Sequence, residues 1–246
     1  MKVAVVTPHW NTEVKYLRRN LESVAAQETS HDVHHFLVAD GYECDEQDAL
    51  IKTFPKATHI RLPVDCDDVG ATPSVIGAYI AHALGYEGYC FLGDDNIFLP
   101  EHVESCVNTH LETKADVVAA KRYFMTPDGE PLPVPEEPGH IDANCYALFG
   151  KAIRYVHMCA MMPKPLLQVN DRIWQKVFTS RFEIAFTNKR TVGYATRWAG
   201  HYKFAGREVP TWAKPATGQA AHKWHETTDE DTKADWFQYL WKSKTY

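Results

Sequence analysis

Tyr89-Cys90-Phe91-Leu92-Gly93-Asp94-Asp95-Asn96 is a short apolar run that ends in two adjacent carboxylates. Residues 89–92 have the length and bulk of a buried strand. An open α/β sheet keeps its ligands beyond the carboxyl ends of its strands, where this run delivers Asp94, Asp95 and Asn96. Two ionised carboxylates side by side repel each other, and a hard cation such as Mg²⁺ or Mn²⁺ relieves that cost by accepting their oxygens. A turn whose aspartate caps the next helix is the plainer reading of the same four residues. The surrounding order of elements decides between them.

Downstream, Pro100 opens a helix to about residue 114, followed by a strand at 117–120. Upstream, residues 3–7 read as a buried strand, and 13–27 as a helix with Val14, Leu17, Leu21, Val24 and Ala25 at helical spacing. A strand at 36–39 closes at Asp40-Gly41, a helix covers 45–53, a strand covers 59–62, and a helix runs from Pro73 to about 85. Short strands alternating with helices define an α/β domain with a largely parallel sheet. Residues 8–11, 40–41 and 94–96 then meet in one crevice beyond the strand ends. The second half is less regular. Residues 126–139 form a Pro-, Gly- and Glu-rich loop, a helix begins at Asn170-Asp171 with one of the two as its cap, 191–198 is strand-like, and 229–242 is helix-like.

The chain has 246 residues, 45% of them hydrophobic and 24% charged, with a net charge of −6. That length suits one domain with a sizeable core. The acidic balance argues against sequence-independent nucleic-acid binding, which needs a basic face. Six scattered cysteines without a C-x-x-C pair point to neither a zinc site nor a disulfide framework. The short apolar run at the start is no secretory leader, and no apolar stretch reaches the ~20 residues of a membrane span. A cytoplasmic, soluble protein is the expectation.

Asp68-Val69-Gly70-Ala71-Thr72-Pro73, Gly77 and Phe91-Leu92-Gly93-Asp94-Asp95-Asn96 together resemble the family-2-like glycosyltransferases of the GT-A class, in which a glycine-containing loop, a helix and an Asp-x-Asp motif follow in that order. Val5-Val6-Thr7-Pro8-His9-Trp10-Asn11 is similar to their first strand and nucleotide loop, and Val38-Ala39-Asp40-Gly41 to the strand whose aspartate contacts base or ribose. Asn170-Asp171-Arg172-Ile173-Trp174 is similar to the motif bearing the catalytic base, and residues 191–202 to the closing strand with its histidine, His201. The likeness covers roughly residues 3–210. It departs at Gly93, where the first acid of Asp-x-Asp is expected, and at Ser74, where a basic residue is expected.

The resemblance implies a single GT-A-type (Rossmann-like) domain over 1–246: a mostly parallel central sheet flanked by helices, with an irregular acceptor-side region. Residues up to about 100 would bind the nucleotide sugar; about 101–246 would form the acceptor half and a closing segment. It further implies a non-processive, inverting glycosyltransferase that takes a sugar from a UDP- or GDP-sugar with Mn²⁺ or Mg²⁺. Asp171 is then the catalytic base. Thr7, His9, Asn11, Asp40, Gly70, Thr72 and Asp94 would line the donor site, and Asp95, Asp94 and His201 would hold the metal. Plainer roles compete: a helix cap for Asp171, a turn for Asp40-Gly41, a structural ring for His201. His222 and His225 are weaker metal candidates. Trp10, Tyr123, Phe124, Trp198 and Tyr202 stack on a base or sugar, or fill core; Lys121-Arg122 steadies a phosphate, or is solvated.

Two other functions belong to different classes. A sugar-phosphate nucleotidyltransferase shares such a sheet, but residues 7–11 lack the glycine and lysine its loop needs. A non-catalytic nucleotide-sugar- or glycan-binding relative would explain Gly93 and Ser74, but Asp95 and Asp171 are retained. The acceptor, expected near residues 123–168, stays open between a glycan, a lipid-linked glycan, a protein, a metabolite and a modified nucleic acid.

Overall fold

The computed structural model describes residues 1–136 and 139–215. The helix expected at 229–242, with His222 and His225, lies outside the described residues. In chain order the elements are β1 (Lys2–His9), α1 (Val14–Ala25), β2 (Asp32–Ala39), α2 (Asp45–Lys52), β3 (Ala57–Arg61), α3 (Ala71–Ala83), β4 (Gly88–Phe91), β5 (Ile97–Phe98), α4 (His102–Thr113), β6 (Val117–Met125), β7 (Pro131–Leu132), β8 (Tyr146–Phe149), α5 (Asn170–Thr179), β9 (Ile184–Ala195) and α6 (Ala199–Phe204). Short 3₁₀ helices occupy Ala143–Cys145, Gly150–Cys159 and Lys164–Val169.

One sheet runs β3-β2-β1-β4-β8-β6-β9-β5, with β7 added beside β6. The pairs β1–β2, β2–β3 and β1–β4 are parallel, β8 lies antiparallel to both β4 and β6, and β9 is parallel to β6. The chain moves outward from β1 through β2 to β3, then returns to place β4 on the other side of β1. The gap beyond the carboxyl ends of β1 and β4 is therefore the switch point of the topology, where such sheets bind ligands.

Both faces of the parallel half are covered, so its strands read as continuous apolar runs rather than alternating ones. Alternation along β2 sends Phe36 into the cluster containing Ala71, Val75 and Ala78 of α3. It sends Leu37 into the cluster of Leu17 and Leu21 of α1 with Leu50 and Ile51 of α2. A fully buried leucine such as Leu17 or Leu37 contributes about 1.5–3 kcal/mol. Helix α3 lies close against the sheet because Gly77 has no side chain: a Cβ there would stand 2.6 Å from Val6 Cγ1 and 2.9 Å from Val38 Cγ2.

Three expectations shift. Helix α3 starts at Ala71 rather than Pro73, because the Asp68 carboxylate accepts the Thr72 amide at 2.8 Å and Gly70 takes up the left-handed conformation before it (φ 77°). Neither Asn170 nor Asp171 caps α5. The preceding 3₁₀ helix runs directly into α5, and the Asn170 amide is satisfied by Leu167 O. The strand expected at 191–198 begins earlier, at Ile184, and pairs with β6 across register shifts between Ala119 and Arg122. Such a shift re-aims side chains. Here it leaves Arg122 buried, not solvated as the plain reading of Lys121-Arg122 had it.

Candidate active site

A cleft of about 840 Å³ opens at the switch point. It is lined by Pro8 at the end of β1, Leu92 and Gly93 after β4, Gly70 and Ser74, Asp171 and Trp174 of α5, and Arg122, Tyr194, Trp198 and His201. Asp94 and Asp95 lie outside this lining. Gly70, Asp171 and His201, from three distant stretches of sequence, thus share one space.

Gly93 explains the departure from Asp-x-Asp. Its amide donates to Asn144 Oδ1 at 2.5 Å, and Asn96 Nδ2 donates to the same oxygen at 3.1 Å. A Cβ on residue 93 would stand 2.7 Å from Asn96 Nδ2. The Asn96–Asn144 pair fills the place of a side chain. Asn96 also accepts the Ala195 amide at 2.8 Å, and Asn20 Nδ2 donates to Gly93 O and Asn96 O, so this turn is tied to α1, β9 and the 143–145 helix.

Asp94 and Asp95 leave the turn toward α1. Asp94 accepts the Thr12 hydroxyl, and Asp95 accepts from Arg197 Nε at 3.1 Å. Burial holds the Asp94 carboxyl well above the ordinary range and the Asp95 charge raises it further; burial also raises Asp95, against the pull of Arg197. Two adjacent half-buried carboxylates raise each other's cost of ionisation even with Arg197 and Arg19 near Asp95, and their hard oxygens suit Mg²⁺ or Mn²⁺. A divalent ion fits this pair. His201 is not gathered to it: among the described residues, the one His/Cys/Asp/Glu trio with donor atoms within 4.8 Å of one another is His140, Asp142 and Asp171. His201 instead shares a 2.6 Å hydrogen bond between Nδ1 and Thr196 and packs edge-on against Phe124. Burial, then Arg122, lowers its affinity for a proton.

The trio is already balanced. Arg122 pairs with Asp142, whose other oxygen accepts from Asn144 N at 3.0 Å and Asn144 Nδ2 at 2.6 Å. His140 Nε2 lies 3.0 Å from Asp171 Oδ2. None of His140, Asp142 and Asn144 was expected at the site. Their signal is polar residues at every second position of His140-Ile141-Asp142-Ala143-Asn144, inside a stretch otherwise read as irregular.

The other donor-site candidates divide. Thr7 is fully buried and hydrogen-bonded to His35 Nε2 at 2.8 Å. His9 is buried with Nε2 at 2.9 Å from His59 Nε2, and His59 Nδ1 is 2.9 Å from Asp48. Neither lines the cleft. Asp40 accepts the Cys66 amide at 3.0 Å and holds the loop that leads to Gly70. Thr72 gives its amide to Asp68, whose Oδ1 is buried with no hydrogen-bond partner among the described residues. Asn11 is exposed after β1, and Trp10, 52% exposed, leans on Tyr42. Phe124 and Tyr202 belong to a core cluster, whereas Trp198 faces the cleft.

This architecture is a GT-A-type sheet, and the sequence carries its family's pattern: the glycosyl transferase family 2 model matches residues 4–169. The chain belongs to that family. No curated protein matches it by sequence. Among solved structures it is similar to S. aureus TarS 1-349, with 15% identity and a TM-score of 0.62 over 79% of this chain and 60% of that one. The same protein in complex with UDP gives 14% identity and a TM-score of 0.63 over 96% and 78%. A longer TarS structure aligns over 82% of this chain and only 38% of its own. The chain thus spans less than two thirds of the first of these TarS chains and of the longer one. Among the described residues no helix is long and apolar enough to cross a membrane.

Proposed function

We propose that the chain transfers a sugar from a nucleotide-diphosphate sugar to an acceptor hydroxyl, once per encounter and with inversion. The supporting observation is that Asp171, Gly70 and Gly93 line one cleft at the switch point. The nucleoside would lie beyond β1 and β2, near Asp40 and the glycine loop, where the unpartnered Asp68 Oδ1 offers an acceptor to a hydroxyl or ring N–H. TarS structures with UDP and UDP-GlcNAc favour a uridine donor over a guanosine one. Residues to about 100 would hold the donor; the remainder would receive the acceptor.

Asp171 removes the proton of the acceptor hydroxyl as its oxygen attacks the anomeric carbon. The new carbon–oxygen bond forms on the face opposite the breaking bond to the diphosphate, which inverts the centre. Asp95 and Asp94 would hold Mn²⁺ or Mg²⁺, which when bound supplies charge neutralisation at the departing diphosphate. His201 would act as a third ligand only if the cleft closes on the donor. Incubation with UDP- and GDP-sugars and Mn²⁺ tests the reading: released UDP or GDP supports it. Pyrophosphate formed from a nucleoside triphosphate and a sugar phosphate, or binding without turnover, would replace it with one of the other two functions.

A further inference from the structure

We infer that His140 is the positioning residue of the base: its Nε2–H holds the Asp171 carboxylate in its working orientation. The inference rests on the sugar-transfer reading of the site and deepens it.

The contact is short and enclosed. Nε2 of His140 lies 3.0 Å from Asp171 Oδ2, and the His140 side chain is 8% exposed. A carboxylate only accepts, so the ring proton at this contact belongs to the imidazole. Among the described residues, the other ring nitrogen, Nδ1, is buried without a hydrogen-bond partner. A proton on Nδ1 would be an orphaned buried donor, which is costly, so the proton sits on Nε2 and points at Asp171. Among the described residues nothing stands behind Nδ1 to take a proton from the ring. It orients the base and does not relay.

The backbone around the ring is clamped by the helix that carries the base. Asp171 and Gln175 stand one turn apart on α5, so they share a face. The Gln175 side chain accepts the Ile141 amide at 3.2 Å through Oε1 and donates through Nε2 to Gly139 O. His140 is thereby gripped on both sides by the residue one turn beyond the carboxylate it serves. The helix itself is anchored by buried Trp174, whose ring meets Phe91 of β4 edge-on at 4.9 Å. Asp171 is also held from its own backbone side, where Oδ1 accepts the Arg172 amide at 2.8 Å. Donors on both carboxylate oxygens fix the plane of the group and leave about two of its four acceptor sites for the acceptor hydroxyl.

The segment also reaches the donor side. Two residues after His140, Asp142 pairs with Arg122; two further on, Asn144 holds Gly93 and Asn96. Residues 140–144 therefore set the base at one end and the acidic turn at the other. A base displaced by about 1 Å can lose a hundredfold in rate without any change in donor binding.

The experiment measures nucleotide release from UDP-N-acetylglucosamine, UDP-glucose and GDP-mannose with Mn²⁺, in the full chain and four variants. His140→Phe keeps a ring but no donor; its kcat should fall about 10–100-fold with donor KM within about twofold of wild type. His140→Gln, which can return an N–H near the Nε2 position, should recover most of that loss. Asp171→Asn should be the slowest single variant, and His140→Phe/Asp171→Asn should be no slower than it, since a positioner has nothing to add once the base is gone. Ring ¹⁵N shifts should show the proton on Nε2, and they read the wild type even if His140→Phe fails to fold. His140→Phe turnover within twofold of wild type, or multiplicative losses in the double variant, overturns the inference while leaving sugar transfer standing. Wild-type protein that releases nucleotide from none of the donors overturns both.

Discussion

Asn144 Oδ1 stands 2.5 Å from the Gly93 amide, so a side chain some fifty residues away completes the turn that presents Asp94 and Asp95. Restoring an acid at position 93 should therefore harm the site. Gly93→Ala or Gly93→Asp forces a Cβ to within 2.7 Å of Asn96 Nδ2, and overpacking of this kind costs about 1–3 kcal/mol. Asn144→Ala should cost a similar amount by orphaning the Gly93 amide. Urea unfolding checks both; an unchanged or raised midpoint for Gly93→Ala would show that the turn has room.

Asp171→Asn should lower nucleotide release by about 10²–10⁴-fold, the usual contribution of a general base. Affinity for UDP, read by calorimetry, should stay within about twofold, because in the proposed reaction Asp171 serves the acceptor and not the donor. Wild-type turnover of this variant would remove Asp171 from the chemistry.

The Asp94–Asp95 pair makes a prediction about metal that needs no turnover. Both carboxyls sit above the ordinary value of 3.8, through burial first. A raised folded value means that the native state binds more protons than the unfolded chain above pH 3.8. The pair's stability is thus fully present below that pH and lost as pH rises through the folded values. Mn²⁺ should replace the lost protons. At pH 8 it should raise Tm by several degrees, about 2–4 °C for each kcal/mol of binding, with a smaller rise at pH 5. Asp94→Asn/Asp95→Asn should abolish the rise, and an equal rise in that variant would move the metal elsewhere.

Three buried imidazoles act in the opposite direction. His9, His35 and His102 are each held at about 3 instead of 6.5, burial being the main cause in every case. The unfolded chain then binds more protons than the native state between those values. Their stability is complete above pH 6.5 and drains away toward pH 3, by up to about 1.4 kcal/mol per pH unit for each ring. Unfolding free energies between pH 7 and pH 4.5 should fall steeply, less what the aspartate pair returns. His102→Gln should flatten the slope; no flattening would mean that the ring titrates freely.

The parallel half of the sheet was legible because burial on both faces leaves plain apolar runs: β1, β2 and β4 were each expected within a few residues of their observed ends. The order of motifs also anticipated that Gly70 and Asp171 would share one cleft. Strand β8 was missed. Tyr146-Ala147-Leu148-Phe149 is wholly buried, and four apolar residues in an irregular region carry no period to separate strand from helix. Thr7 and His9 were placed correctly at the end of β1, yet alternation along a strand buried on both sides turns their side chains to His35 and His59 rather than to the cleft. The partners of the base were hidden for another reason. His140 and Gln175 are thirty-five residues apart, and only the antiparallel return of β8 beside β4 brings their segments together.

Gly77 has a consequence for motion. With Val6 and Val38 pressed where its side chain would be, α3 cannot slide on the sheet, and the Gly70 loop hung from its first turn is fixed to β1. In the proposed reaction the donor would therefore meet a stationary wall. Any grip on it falls to the segment carrying Trp198 and His201, so ligand-dependent changes in hydrogen exchange belong there and not in α3.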